Sequence, residues 1–101
     1  MYSISELKTS HRDGKKMMVV LIEKETGKTK TIHFGNSDYR DFLILEKSKD
    51  PNRNEVRKNY LTRSAGIRDG SGNLTKDNPL SANYWARRVL WKSNEPYYGI
   101  K

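Results

Sequence analysis

Basic side chains are concentrated in two segments of helical character. Six of them are candidate anion-binding residues: Arg53, Arg57, Lys58, Arg63, Arg87 and Arg88. On helices they would form two ridges, and such ridges contact nucleic-acid phosphates without reading the base sequence. The alternative is that one of these arginines pairs with Asp41, Asp50 or Glu55 inside the fold as a structural ion pair.

The overall charge also favours an anionic partner. The 101 residues carry a net charge of +8, and the excess lies mainly in residues 51–101, where ten Lys and Arg face four Asp and Glu. An uneven charge of this size is typical of proteins that bind acidic surfaces or nucleic acid. The alternative is a surface that only keeps the chain in solution, and composition alone leaves both open.

Residues that could perform catalysis are few and scattered. His11 and His33 are the only histidines and there is no cysteine, whereas a zinc site needs about four ligands in close array. No serine stands in a nucleophile elbow, and the glycines form no phosphate-binding loop after a strand. Asp69–Asn73 has the composition of a flexible loop and lacks the later glutamate of a calcium loop. We therefore expect no enzyme activity, no cofactor and no metal.

The aromatic residues divide into core and contact candidates. Trp85 lies on the apolar face of a predicted helix, so we expect it to be buried, and Trp91 to be at least half buried. Tyr97 and Tyr98 follow Pro96 in a short tail, and we assign them to contact with a partner. The alternative is that the tail packs back over the sheet.

Three strands must position these groups. Tyr2–Lys8 alternates weakly and predicts an edge strand. Met17–Ile22 is apolar at both parities, which predicts a central strand covered on both sides. Thr29–Phe34 places Ile32 and Phe34 on one face. Asp13-Gly14 and Lys24–Lys28 supply the turns that join these strands.

Two helices are predicted after the strands. The connection from 36 to 49 is interpreted as irregular and partly buried. Asp50-Pro51 then starts a helix that ends near Ala65 with Gly66 as its stop. A second helix runs from about Asp77 to Trp91 or Lys92. Its apolar face follows i, i+3, i+4 spacing and comprises Ala82, Trp85, Ala86, Val89 and Leu90.

The fold class follows from this order of elements. We predict a single α+β domain over residues 1–101, with a small three-stranded antiparallel sheet followed by two helices. No apolar run approaches the roughly 18 residues that span a bilayer, and the first residues lack the pattern of a signal peptide. We therefore expect no membrane insertion and no secretion.

Several short motifs occur in an order typical of one group of proteins. They are Thr31–Gly35, Asp38-Tyr39, Asp50-Pro51 with Arg53 and Arg57, Tyr60–Arg63 and Tyr84–Trp91. Over residues 15 to 92 the chain resembles an uncharacterised family of short basic proteins of nucleocytoplasmic large DNA viruses and some tailed phages. Glu46–Asp50 replaces a His-Lys-Asp motif of that family, Ser64 replaces a histidine, and Ala86 is the small residue before Arg87.

The resemblance implies a viral setting. Small basic proteins without enzyme activity are often virion components there, so we expect a minor capsid, cement or core protein that assembles with other virion proteins. The alternative is a non-specific nucleic-acid-binding protein that contacts DNA or RNA phosphates through the helix Arg and Lys residues. Either function places the protein in the virion or the host cytoplasm.

Overall fold

The computed structural model describes residues 1–101 and has the predicted α+β architecture. Three strands form one antiparallel sheet in the order β1-β2-β3: β1 Tyr2–Thr9, β2 Lys15–Glu23 and β3 Thr29–Asn36. Helices follow: α1 Phe42–Lys47, α2 Arg53–Ser64, a 3₁₀ turn Thr75–Asp77, α3 Ala82–Trp85 and a π-helical turn Ala86–Leu90. We call Ala82–Leu90 the terminal helical segment.

Strand β2 is central in the sheet, and its two faces are buried to different degrees. Val19 and Leu21 are fully buried and face the helices, with Ile32 and Phe34 beside them on β3. Because side chains alternate along a strand, Met18, Val20 and Ile22 point to the other face, where Met18 is buried and the other two are half-buried. The prediction that β2 is covered on both faces therefore holds only in part: Met18 is buried on the second face, whereas Val20 and Ile22 remain partly exposed there.

The edge strand β1 contains a β-bulge. Ile4 pairs with Leu21, but the register shifts before Glu6, so that Leu7 pairs with Val19. The extra residue, Ser5, brings Ile4 and Leu7 to the same face although they are three positions apart. Both therefore lie on the face of the sheet that carries the core.

The connection from β3 to α2 contains a helix where an irregular segment was predicted. Its N-cap is Asp41, whose Oδ1 accepts a hydrogen bond from the backbone N of Ile44 at 3.1 Å. The other carboxylate oxygen of Asp41 accepts from Lys16 Nζ at 2.6 Å. Short apolar runs do not distinguish a helical turn from a loop, and the cap depends on a lysine 25 residues away.

The terminal helical segment is shorter than predicted and buried on almost all sides. It begins after Ser81, and its last turn closes with the backbone N of Trp91 donating to Ala86 O, five residues back. Ala82, assigned to the apolar face, is exposed. Tyr84 and Trp85 are fully buried, and Trp91 is 7% exposed. The burial predicted for both tryptophans is confirmed.

Candidate functional site

Arg87 is a structural residue and not part of an exposed basic ridge. It is 5% exposed, and its Nε and Nη2 donate to the two carboxylate oxygens of Glu95 at 2.9 and 3.1 Å. Its Nη1 donates to Leu61 O and Ser64 Oγ on α2. A planar guanidinium can satisfy a bidentate carboxylate and two further acceptors at once. Arg87 thus joins the terminal helical segment to α2 and to the C-terminal tail.

Glu95 compensates the buried charge of Arg87. Burial raises the pKa of its carboxyl, but the hydrogen bonds from Arg87 and the charges of Arg87 and Arg88 outweigh burial. The pKa of Glu95 is therefore below its ordinary value, and the carboxylate is ionised at neutral pH. Glu95 is the only acidic residue after Asp77 and lies seven positions after Arg88. This isolated carboxylate near two adjacent arginines was the one feature of the sequence that could have indicated the ion pair.

Arg88 is buried as completely as its neighbour. Its guanidinium donates to the backbone carbonyls of Lys76, Tyr84 and Pro96 and lies 3.6 Å from the centre of the Tyr84 ring. Burial raises the pKa of Tyr84 to about 12, although the charge of Arg88 opposes this. The assignment of Arg87 and Arg88 to an exposed phosphate-binding ridge is wrong, because both guanidinium groups are used inside the fold.

Arg57 caps the end of the terminal helical segment. Its Nε donates to Trp91 O at 2.9 Å and its Nη2 donates to Lys92 O. The last carbonyls of a helix lack partners within it, and a cation there also complements the helix dipole. The half-buried Arg57 is therefore occupied with a structural contact.

Three of the six candidate cations remain available to an external anion. Lys58 and Arg63 are exposed on α2, and Arg53 is half-buried with one hydrogen bond to the carbonyl of Asp50. None of the three forms an ion pair with a carboxylate. The basic surface of α2 is thus smaller than its sequence indicated.

The C-terminal tail packs against the domain through its backbone. Tyr84 Oη donates to Tyr98 O at 2.9 Å, and Tyr2 N donates to Gly99 O at 2.8 Å. Lys101 N donates back to Tyr2 O at 2.9 Å, so the tail forms a short parallel bridge with the start of β1. The rings of Tyr97 and Tyr98 nevertheless remain about half exposed. The tail therefore packs back as the alternative proposed, and leaves both rings open to contact.

The β1 edge, which we define as residues 3–9 of β1, has no partner strand on its outer side. Ile4 and Leu7 are each 43% exposed there, on the face that carries the core. The terminal helical segment makes its main contacts with the sheet at β3, and neither Ile4 nor Leu7 belongs to the core cluster. The edge therefore combines unpaired backbone groups with an uncovered apolar strip.

A groove of about 590 Å³ lies between α2, the ends of β2 and β3, and the terminal helical segment. We call it the α2 groove. Four α2 residues line it at i, i+3, i+4, i+7 spacing: Val56, Asn59, Tyr60 and Arg63. The other lining residues are Lys16, Gly35, Asn36, Tyr39, Arg40, Asp41, Ala86, Leu90 and Trp91.

Aromatic rings form much of the groove wall. Tyr60 and Trp91 are stacked, with ring centroids 4.0 Å apart and planes at 8°. Burial raises the pKa of Tyr60 above its ordinary value, so its hydroxyl stays protonated at neutral pH. Tyr39 comes from the β3–α1 connection and is 70% exposed.

The two histidines lie together, with His33 opposite Met18 on the face of the sheet that points away from the core. Their rings meet edge to face at 5.2 Å, and Ser10 Oγ lies 2.8 Å from His33 Nδ1. Burial, followed by the charges of Arg12, His11 and Lys15, lowers the pKa of His33. No group of three or more His, Asp or Glu side chains is placed to hold a metal ion.

Comparison with known proteins places residues 5–64 in a family described as a family of unknown function (DUF5754). The match covers more than half of the chain. The chain belongs to this family. Neither the curated proteins nor the solved structures gave a significant match.

The DUF5754 match extends from β1 to the end of α2. It therefore includes the β1 edge from residue 5 onward, but not Ile4, and it includes the α2 wall of the α2 groove. The terminal helical segment, which closes the groove together with Trp91, lies outside the match. No helix of this family member is long and apolar enough to cross a bilayer. The family description assigns no activity to any of its residues.

Proposed function

We propose that this chain is a small non-enzymatic virion protein, a minor capsid, cement or core component, that acts by assembly with other virion proteins. The observation that supports this proposal best is the β1 edge. Its backbone groups are unpaired, and Ile4 and Leu7 expose apolar surface beside them. An extended segment of another protein can add to such an edge as a fourth strand.

The tail illustrates how this edge accepts a strand. The chain's own residues 99–101 pair with Tyr2 at the beginning of β1. A partner strand would continue along residues 3–9 and would bury the apolar strip under its own side chains. Tyr98, half exposed at the tail, lies next in sequence to this bridge and extends the contact.

Nucleic-acid binding through the helix cations has less support. Phosphate-binding ridges need several free Lys and Arg side chains. Arg57, Arg87 and Arg88 are hydrogen-bonded inside the fold. The three cations left on α2 predict weak binding, because they can make fewer phosphate contacts than six free cations would.

The test is incorporation into particles. Mass spectrometry of purified virus particles should detect the wild-type chain at a fixed copy number. The double variant Ile4→Glu and Leu7→Glu should fold but be lost from particles, because two carboxylates on the edge face oppose burial. Ile67→Glu is the control, since Ile67 is similarly exposed (49%) but lies outside the sheet. Equal incorporation of both variants would exclude the β1 edge, and absence of the wild-type chain from particles would exclude the function.

A further inference from the structure

We propose that the α2 groove is a binding site for a nucleoside phosphate, either free or as a unit of a single strand. The proposal does not depend on assembly through the β1 edge, because the two surfaces share no residue. The groove volume of about 590 Å³ is within the range of roughly 300–1,000 Å³ typical of small-ligand sites.

The charge of the groove favours an anion. Lys16, Arg40 and Arg63 are its cations, and Asp41 is its only carboxylate. Both oxygens of Asp41 are already used, one by Lys16 and one by the backbone N of Ile44. Arg63 forms no ion pair, and Arg40 is 3.7 Å from Asp50 in an exposed, weak pair. The Arg63 guanidinium is therefore free to contact a phosphate, and Arg40 would exchange its weak pair with Asp50 for one.

The rest of the lining favours a planar, hydrogen-bonding body over a purely apolar one. Tyr39 is 70% exposed and offers ring surface on which any base can stack. Tyr60 and Trp91 are stacked on each other and form the wall of the groove. The side chain of Asn59 makes no hydrogen bond within the protein, and the side-chain amide nitrogen of Asn36 is also free. Side-chain amides hydrogen-bond the edges of bases. The Tyr39 ring, the side-chain amides and the exposed guanidinium groups of Arg40 and Arg63 together match a base joined to a phosphate.

The sequence of α2 does not reveal this site, because its pattern fits a helix that packs on the core equally well. The α2 residues that line it have the i, i+3, i+4, i+7 spacing that is also typical of a core-facing stripe. In the structure Val56 is 40% exposed, and only Ser64 of α2 is buried. The helix therefore contributes less to the core than its pattern indicated, and the unused part of the stripe faces the groove.

The experiment is titration of the full chain, followed by ¹H–¹⁵N NMR at about 150 mM salt, where non-specific phosphate contacts are weak. The probes are thymidine monophosphate, thymidine, inorganic phosphate, a ten-nucleotide oligo(dT) and a peptide of Asp, Glu and Phe. We expect the monophosphate or the oligonucleotide to shift resonances of Tyr39, Asn59 and Trp91. If the oligonucleotide binds more tightly than the monophosphate, the natural ligand is a single strand. If the two bind with equal affinity, the natural ligand is a free nucleotide.

A pair of variants on one helix separates the site from general charge. Arg63→Gln and Lys58→Gln each remove one positive charge from α2, but only Arg63 lines the groove. We expect Arg63→Gln to weaken binding about tenfold and Lys58→Gln less than about twofold. Tyr39→Ala, at an exposed ring, should also weaken it. Equal effects of Arg63→Gln and Lys58→Gln, binding of the peptide without the nucleotides, or no binding up to about 1 mM would overturn the proposal.

Discussion

At the scale of single residues, the main result is the use of arginine inside the fold. Arg87 and Arg88 are adjacent in a mostly apolar segment, yet 5% and 4% exposed. Their guanidinium groups donate hydrogen bonds to backbone carbonyls, to the Ser64 hydroxyl and to the Glu95 carboxylate. Buried charges persist only when they are paired and hydrogen-bonded, and this cluster meets both conditions.

Arg87→Lys should destabilise the protein strongly although it keeps the charge. A lysine cannot reach the two Glu95 oxygens and the α2 acceptors in one plane, so buried groups would lose their partners. We expect the free energy of unfolding to fall by about 2–4 kcal/mol. Urea denaturation measures this. Arg63→Lys on exposed α2 is the control and should change stability by less than about 0.5 kcal/mol. A similar effect of both changes would contradict the role assigned to Arg87.

Glu95 should control the loss of stability in acid. Its pKa is lowered in the folded state, so the folded protein binds this proton more weakly than the unfolded chain does. Its contribution is therefore complete above the unfolded pKa, near 4.5, and disappears as the pH falls through the lower folded value. Thermal denaturation measured from pH 7 to pH 2.5 tests this. Glu95→Gln should have a lower melting temperature than the wild type at pH 7, and its melting temperature should fall less as the pH is lowered. An unchanged acid dependence in that variant would show that Glu95 is not involved.

At the scale of elements, close contact between β3 and the terminal helical segment determines how the helices cover the sheet. Gly35 has a φ of +80°, and a Cβ added there would lie 2.5 Å from Leu90 Cδ1. Leu90 is buried, so it has little room to move. The absence of a side chain at Gly35 thus lets the segment approach the strand.

Gly35→Ala should therefore lower the free energy of unfolding more than Gly27→Ala does. Gly27 has a similar φ of +73° but open space around it, so Gly27→Ala should cost only the strain of the left-handed backbone, about 1–2 kcal/mol. Gly35→Ala adds a clash in the core, for a total of about 2–4 kcal/mol. Chemical denaturation compares the two. In a Leu90→Ala background the difference should disappear, and a difference that persists there would point to a cause other than this contact.

Trp85 holds the terminal helical segment in the core. It is fully buried, and its indole Nε1 donates to Pro79 O at 2.7 Å. Replacement by Ala should lower the free energy of unfolding by about 3–5 kcal/mol, enough to threaten folding in a domain of this size. Leu80→Ala removes a side chain that is 41% exposed nearby and should have a small effect. A cooperative transition with an unchanged midpoint in Trp85→Ala would contradict the packing described.

At the scale of the whole molecule, the net charge does not show how many of the candidate cations are free to contact an external anion. The chain carries +8, yet only Arg53, Lys58 and Arg63 remain available among the six candidate cations. Formal charge determines long-range attraction to DNA, whereas the salt dependence of binding counts the cations that contact phosphates. These two quantities can therefore be separated by experiment.

Duplex DNA binding should show a shallow salt dependence. Six phosphate contacts would give a log–log slope of roughly −5, whereas three would give roughly −3. Fluorescence anisotropy between about 50 and 200 mM salt measures this slope. Arg53→Gln should make it shallower by about one unit, while Arg57→Gln should leave it unchanged and destabilise the fold. A slope near −5, or submicromolar binding at physiological salt, would favour nucleic-acid binding over assembly.

The sequence by itself determined the strands, their turns, the fold class and the burial of both tryptophans. These features depend on local information: alternation along a strand, glycine at positive φ and an aromatic residue in an apolar segment. The start of the helix at Asp50-Pro51 was also predicted to within a few residues, because Asp50 Oδ1 accepts from Asn52 N at the turn before α2.

Only the tertiary structure decided which basic residues are free and where the candidate site lies. Arg87 meets Leu61 O across 26 positions, and Arg57 meets Trp91 O across 34. A guanidinium has the same sequence signature whether its acceptors are phosphates or buried carbonyls. The α2 groove likewise exists only because separate elements leave a space between them, and no periodicity within one element encodes a space between several.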